Sequence, residues 1–348
     1  MNLVDQYKSL WKSQIKKGIP LMLVGGTGIG KTEMIGDIAK DMGRELIVLH
    51  LARSSASDFL IPFIEDGGTV KYAINENLKQ LSKGNIILFF DEYDRAEGAT
   101  RNAILSLINE RVFDGIKLPD TVGIVLAGNQ ETSRDTNMLN QAELTRIAYY
   151  RLDDLVKDDD YVHSWVKYAT ERYGTDSRIT SFIAQYKEML NVPSEEVEQM
   201  ATSRGWVNLG KCMEELDGLS DRSMRKKLIT SFIGNKAGAQ FQTYLDVYSK
   251  MPSATELLKG WDKAMGKEVD IDKKIAGVDI LVQHIRKNKA DFNKAMKILK
   301  ADVGDEYLYL WIMLGMNYKE FKSVLVDRIS NDKEVKDILL PIAKDILE

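Results

Sequence analysis

The chain has 348 residues, 44% of them hydrophobic and 29% charged, with a formal net charge of −4. That length and balance fit a folded protein of two or three domains with ample core, and the acidic surplus weighs against a partner held by non-specific phosphate contacts. A lone cysteine, Cys212, excludes an internal disulfide, and three dispersed histidines (His50, His163, His284) argue against a structural zinc site.

The first segment has helical apolar spacing at Leu3, Tyr7, Leu10, Trp11 and Ile15, without the unbroken apolar stretch of a signal peptide. The longest apolar run, Tyr307–Leu314, is well short of a membrane span, so a cytoplasmic location is expected. Short apolar runs then alternate with helix patterns: Pro20–Val24, Glu45–His50, Asn85–Phe90, Thr121–Ala127 and Ile147–Leu152, with a helix over Lys31–Met42. Such runs predict a buried parallel sheet in an α/β layer fold. Two hairpins are expected between them, Ile64–Ala73 turning at Asp66-Gly67-Gly68 and Val112–Leu118 turning at Asp114-Gly115. Ala103, Ile104, Leu107 and Ile108 have helical spacing before the second hairpin.

Beyond residue 153 the pattern is helical only: 161–173, 179–190, 207–216, 225–249, 276–288, 291–300, 305–328 and 333–347. A polar stretch near Met251–Asp272 is expected to mark a boundary. The organisation predicted is an α/β core over 1–153, a helical lid over 154–260 and a helical extension over 270–348.

Gly25-Gly26-Thr27-Gly28-Ile29-Gly30-Lys31-Thr32 fits G-x-x-x-x-G-K-[ST], between a strand and a helix. The glycines let backbone N–H groups face phosphate oxygens, and the helix N-terminus adds positive potential there. Lys31 would reach the β- and γ-phosphates and Thr32 would ligate Mg²⁺. Asp91 and Glu92 end the third strand, where ligands bind in α/β sheets. Asp91 would join the Mg²⁺ shell, and Glu92 would polarise the water that attacks the γ-phosphate of ATP. Asp94 and Arg95 follow; a local ion pair and support of a neighbouring subunit are both open, and neither residue carries assigned chemistry. Asn129 ends the fourth strand, either bonding the γ-phosphate or serving as a turn residue. The five tryptophans and the Tyr307–Leu314 stretch read as packing.

On these residues the chain resembles AAA+ ATPases, and within them the MoxR-like group. Gly25–Thr32 is similar to Walker A, Ile86–Glu92 to Walker B, and Asn129 to sensor 1; Asp91–Ala96 and Asn102–Arg111 resemble the segment after Walker B. The two hairpins resemble the helix-2 and pre-sensor-1 inserts. Ala142–Arg146 is similar to the arginine-finger segment, which implies that Arg146 acts in trans on a neighbour's γ-phosphate, with Arg151 in reserve. Ala201–Trp206 resembles sensor 2, implying that Arg204 contacts its own nucleotide, although Ser203 stands where the family often has proline. Phe232–Tyr244 and Lys250–Leu258 resemble lid-end segments of phage and bacterial members, which extends the cytoplasmic expectation to a bacterial or phage-infected host. The resemblance covers about residues 1–260 and implies an ATP hydrolase using ATP and Mg²⁺ in a homo-oligomeric ring, a hexamer. It further implies a protein substrate or adaptor, such as one with a von Willebrand A domain. Two rival readings stay open: a nucleic-acid motor similar to McrB or helicase loaders, and a slowly cycling, nucleotide-gated scaffold.

Overall fold

The computed structural model describes residues 3–53, 60–65, 69–74, 80–113, 116–129, 141–192, 198–266 and 269–347. Two compact units divide the chain, Met1–Asp158 and Asp159–Glu348.

The first unit runs α1 (Leu3–Lys16), β1 (Leu21–Val24), α2 (Lys31–Asp41), β2 (Glu45–His50), β3 (Leu60–Glu65), β4 (Thr69–Ile74) and β5 (Ile86–Asp91). A 3₁₀ turn at Tyr93–Arg95 leads to α3 (Gly98–Glu110), β6 (Val112–Phe113), β7 (Ile116–Lys117), β8 (Gly123–Gly128), α4 (Gln141–Leu144) and β9 (Ala148–Arg151). Five of the strands form one sheet in the order β2-β5-β8-β1-β9, parallel throughout. This is the AAA+ fold, and every expected sheet strand is present. The central strands are apolar up to Asp91, the last residue of β5, because both faces are covered. Alternate residues, including Met22, Val24, Ile86, Leu88, Phe90, Ile124 and Leu126, pack with Ile104, Leu107 and Ile108 of α3. The opposite face meets α1 and α2, which bury Trp11, Ile15, Ile35 and Ile38.

Both hairpins form. β3 and β4 pair from Leu60↔Ile74 to Glu65↔Thr69, longer than the sequence pattern indicates, and β6 pairs β7. The expected turns at Asp66-Gly67-Gly68 and Asp114-Gly115 lie outside the described residues.

The second unit is helical: α5 (Asp159–Tyr173), α6 (Ser177–Gln185), α7 (Ser203–Gly210), α8 (Met213–Gly218), α9 (Arg222–Tyr248), α10 (Ala254–Leu257), α11 (Trp261–Met265), α12 (Ile271–Lys287), α13 (Phe292–Ile298), α14 (Asp305–Gly315), α15 (Lys319–Asn331) and α16 (Lys333–Leu347). A ring cluster of Phe182, Trp206 and Phe241, with centroids 5.1–5.6 Å apart, joins α6, α7 and α9. A second cluster joins Phe292, Trp311 and Phe321. α12 packs on α6 and α9 as well as on α14 and α15, so residues before 260 and after 270 share one body. Where a boundary is expected at Met251–Asp272, α10 and α11 bury Leu257 and Trp261 instead. Residues Tyr307–Leu314 are a buried helix, and all five tryptophans are buried, as packing requires. Among the described residues no helix is long and apolar enough to cross a membrane.

Candidate nucleotide-binding site

The turn from β1 into α2 is built on backbone conformations that side chains resist. Gly28 and Gly30 have φ of 78° and 90°, left-handed values that glycine adopts without strain. Gly30 is also the residue from which α2 starts, so the free N–H groups of the helix face the loop. Gly25 N–H donates to Gly128 O at 3.3 Å, which ties the loop to the end of β8. Ile29 is buried in the apolar core, so it offers a ligand only its backbone, whereas Thr27 is exposed.

Lys31 is buried, and its ammonium donates to three oxygens: Gly25 O at 2.7 Å, Gly26 O at 3.0 Å and Asn129 Oδ1 at 3.1 Å. An ammonium has only three hydrogens to donate, and these acceptors compete for them. A phosphate reaching Lys31 must trade for them, and the exchange of neutral acceptors for anionic ones favours the phosphate. Thr32 Oγ1 donates to Asp91 Oδ2 at 3.4 Å, and Glu92 N–H donates to Asp91 Oδ1 at 3.0 Å. The Thr32 lone pairs stay open to a cation.

Glu92 follows Asp91 in a left-handed conformation, φ 56° and ψ 40°, rare for a residue with a side chain. The kink turns the chain sharply out of β5. The Glu92 carboxylate is half-exposed and meets Arg95 Nη1 at 3.4 Å. Three groups near this edge escaped functional assignment from sequence. His50 ends β2 opposite Asp91 in the strand register and lies 3.6 Å from its Oδ2. Asp94 Oδ1 accepts from Asn129 N–H at 3.0 Å. Arg95 holds Glu92, which settles its local partner. For His50 and Asp94 register was the missing signal: β2, β5 and β8 end side by side, so residues at their ends meet although they are remote in sequence.

Thus the fold gathers Lys31, Thr32, Asp91, Glu92 and Asn129 at the carboxyl ends of β1, β5 and β8. Arg146 is exposed on the turn between α4 and β9, and Arg151 pairs with Asp153 at 3.4 Å. Arg204 belongs to the second unit, exposed in the first turn of α7. Ser203 before it is anchored twice, its N–H donating to Asn191 Oδ1 at 3.2 Å and its hydroxyl bonded to Tyr161. A proline there would lack that N–H, so hydrogen bonding replaces ring rigidity at this position.

A family model described as AAA domain (dynein-related subfamily) matches residues 20–147. Over that span the chain is an AAA domain of the dynein-related subfamily. The MoxR-like resemblance points to this same subfamily. Among solved structures, the AAA domain and its helical unit are similar to the RuvB Holliday junction branch migration motor of Thermotoga maritima, at 14% identity, 93% of this chain, 86% of that chain and a TM-score of 0.41. NtrX of Brucella abortus is similar at 14% identity, 97% of this chain, 68% of that one and a TM-score of 0.36. Similarity that loose assigns no activity to this AAA domain. The curated proteins compared with it include no match.

Proposed function

We propose that the AAA domain binds ATP, hydrolyses it to ADP and phosphate, and drives a homo-oligomeric ring that remodels or activates a protein partner. The observation that carries this reading is the hydrogen-bonded set Lys31–Asn129 and Thr32–Asp91, with Glu92 next in the chain. In this reading the loop amides and Lys31 neutralise the phosphates, and Asn129 hydrogen-bonds the γ-phosphate or the attacking water. Glu92 polarises and orients that water.

Thr32 and Asp91 offer a hydroxyl and a carboxylate, hard oxygens 3.4 Å apart at a strand end, a donor set suited to Mg²⁺. When bound, Mg²⁺ supplies charge neutralisation of the β- and γ-phosphate oxygens.

Arg146 acts in trans in this reading, which its exposure supports, and Arg204 contacts the nucleotide of its own chain. A protein partner fits the acidic balance, and the MoxR-like resemblance supports one with a von Willebrand A domain. The test is phosphate release by Glu92→Gln. Loss of general-base help lowers turnover about 10²–10⁴-fold while ATP binding persists. Undiminished turnover in that variant defeats the catalytic assignment.

A further inference from the structure

We propose that Asp94 is a positioning residue for hydrolysis: it fixes Asn129, at the end of β8, against the turn from which Glu92 projects. The inference rests on the ATPase reading above and adds a residue to it. Asp94 is 5% exposed. Its Oδ1 accepts from Asn129 N–H at 3.0 Å, while its Oδ2 is buried and accepts no hydrogen bond among the described residues. No cation pairs with it among the described residues.

A carboxylate buried for a single backbone bond is an expensive way to hold a strand end. An amide or hydroxyl would accept the same bond with less desolvation. Costly local choices of this kind concentrate at functional sites. The packing agrees. A Cβ added to Gly128 would lie 3.1 Å from Asp94 Oδ1 and 3.6 Å from Asp94 Cβ, so the glycine makes room for the carboxylate.

The consequence is a clamp with two jaws. Asn129 is held by its backbone N–H on Asp94 and by its side chain on Lys31. Asp94 sits in the 3₁₀ turn that opens at Glu92, so one side chain joins the end of β5 to the end of β8. It touches no reacting atom and acts through Asn129 and the backbone of the turn. Losing it lets the amide drift from the γ-phosphate while the phosphate loop, which does most of the binding, stays as it was.

The experiment compares full-length wild type, Asp94→Ala, Asp94→Asn, Asn129→Ala and the Asp94→Ala/Asn129→Ala double variant, reading kcat and KM for ATP with Mg²⁺. Asp94→Ala lowers kcat about tenfold or more with KM within about twofold, since the lost interaction serves the transition state more than binding. Asp94→Asn keeps an oxygen acceptor at the same place and retains kcat within about threefold. The double variant is no slower than Asn129→Ala alone, because both changes disable one unit. Should Asp94→Ala fail to fold, Asp94→Val fills the site without an acceptor and takes its place. A kcat at the wild-type level in the acceptor-less variant overturns the proposal, as does full multiplicative loss in the double variant. A wild-type chain that binds ATP without turning it over overturns the ATPase reading itself, and the Asp94 role falls with it.

Discussion

Gly128 shows how closely single atoms set this site. A methyl group there would sit 2.8 Å from Met22 Cε and 3.1 Å from Asp94 Oδ1. The methionine end can swing away, but Asp94 is pinned by its bond to Asn129. Gly128→Ala is therefore expected to destabilise the first unit by about 1–3 kcal/mol, the usual cost of overpacking, and to lower ATP turnover. Urea melts followed by a probe in the first unit, beside phosphate release, check both; an unchanged midpoint would mean that the carboxylate has room to move. The glycine loop of the candidate site was legible in the sequence because it is local: eight consecutive residues, Gly25–Thr32, carry the glycines, the cation and the hydroxyl. His50 and Asp94 were not, because each meets its partner across the sheet. His50 reaches Asp91 only once β2 lies in register beside β5, and Asp94 reaches an N–H 35 residues away.

The helices were read correctly in kind and less well in extent, for a reason visible at Gly315. Residues 305–328 keep apolar spacing throughout, yet the chain breaks between α14 and α15. The Phe321 ring folds back onto Gly315, to within 2.3 Å of where a Cβ would stand. Periodicity registers the apolar positions but not that they belong to two helices packed on each other. The stretch Met251–Asp272, where a boundary is expected, is polar in sequence, but Leu257, Leu258 and Trp261 within it are buried. Asp279, only 2% exposed, ties α12 to α6 and α9 by hydrogen bonds. It accepts from Ser177 Oγ at 2.9 Å at the start of α6, from Tyr248 OH at 2.8 Å at the end of α9, and from Gln283. Burial raises its pKa above the ordinary 3.8, with those three donors pulling the other way. Folding therefore favours the protonated form, so the contribution of Asp279 to stability is complete below about pH 4 and declines as pH rises through the raised value. Asp279→Asn, neutral at every pH, lacks that dependence. The stability of wild type minus that of Asp279→Asn should fall as pH goes from 4 towards 8. Thermal melts of the two proteins across that range check it, and a difference that grows with pH would reverse the assignment.

For the whole molecule the question is whether one chain holds a complete site. The first unit supplies Lys31, Thr32, Asp91, Glu92 and Asn129 together, while Arg146 stands exposed on the turn before β9. In a head-to-tail ring every site would take its glutamate from one subunit and its arginine from the next, so each interface is shared. Such sharing can be detected without seeing the assembly. Glu92→Gln and Arg146→Ala are each expected to be inactive alone. Mixed one to one, some interfaces pair the intact Glu92 of one variant with the intact Arg146 of the other, and random head-to-tail assembly makes these about one quarter of the total. Turnover should therefore rise from near zero to about one quarter of wild type, provided the sites fire independently. A single chain that carries both substitutions, mixed with either variant, leaves one of the two groups missing from every interface and serves as the inactive control. If co-assembled mixtures stayed inactive, Arg146 would act within its own chain or not at all, and Arg151 would become the residue to replace next.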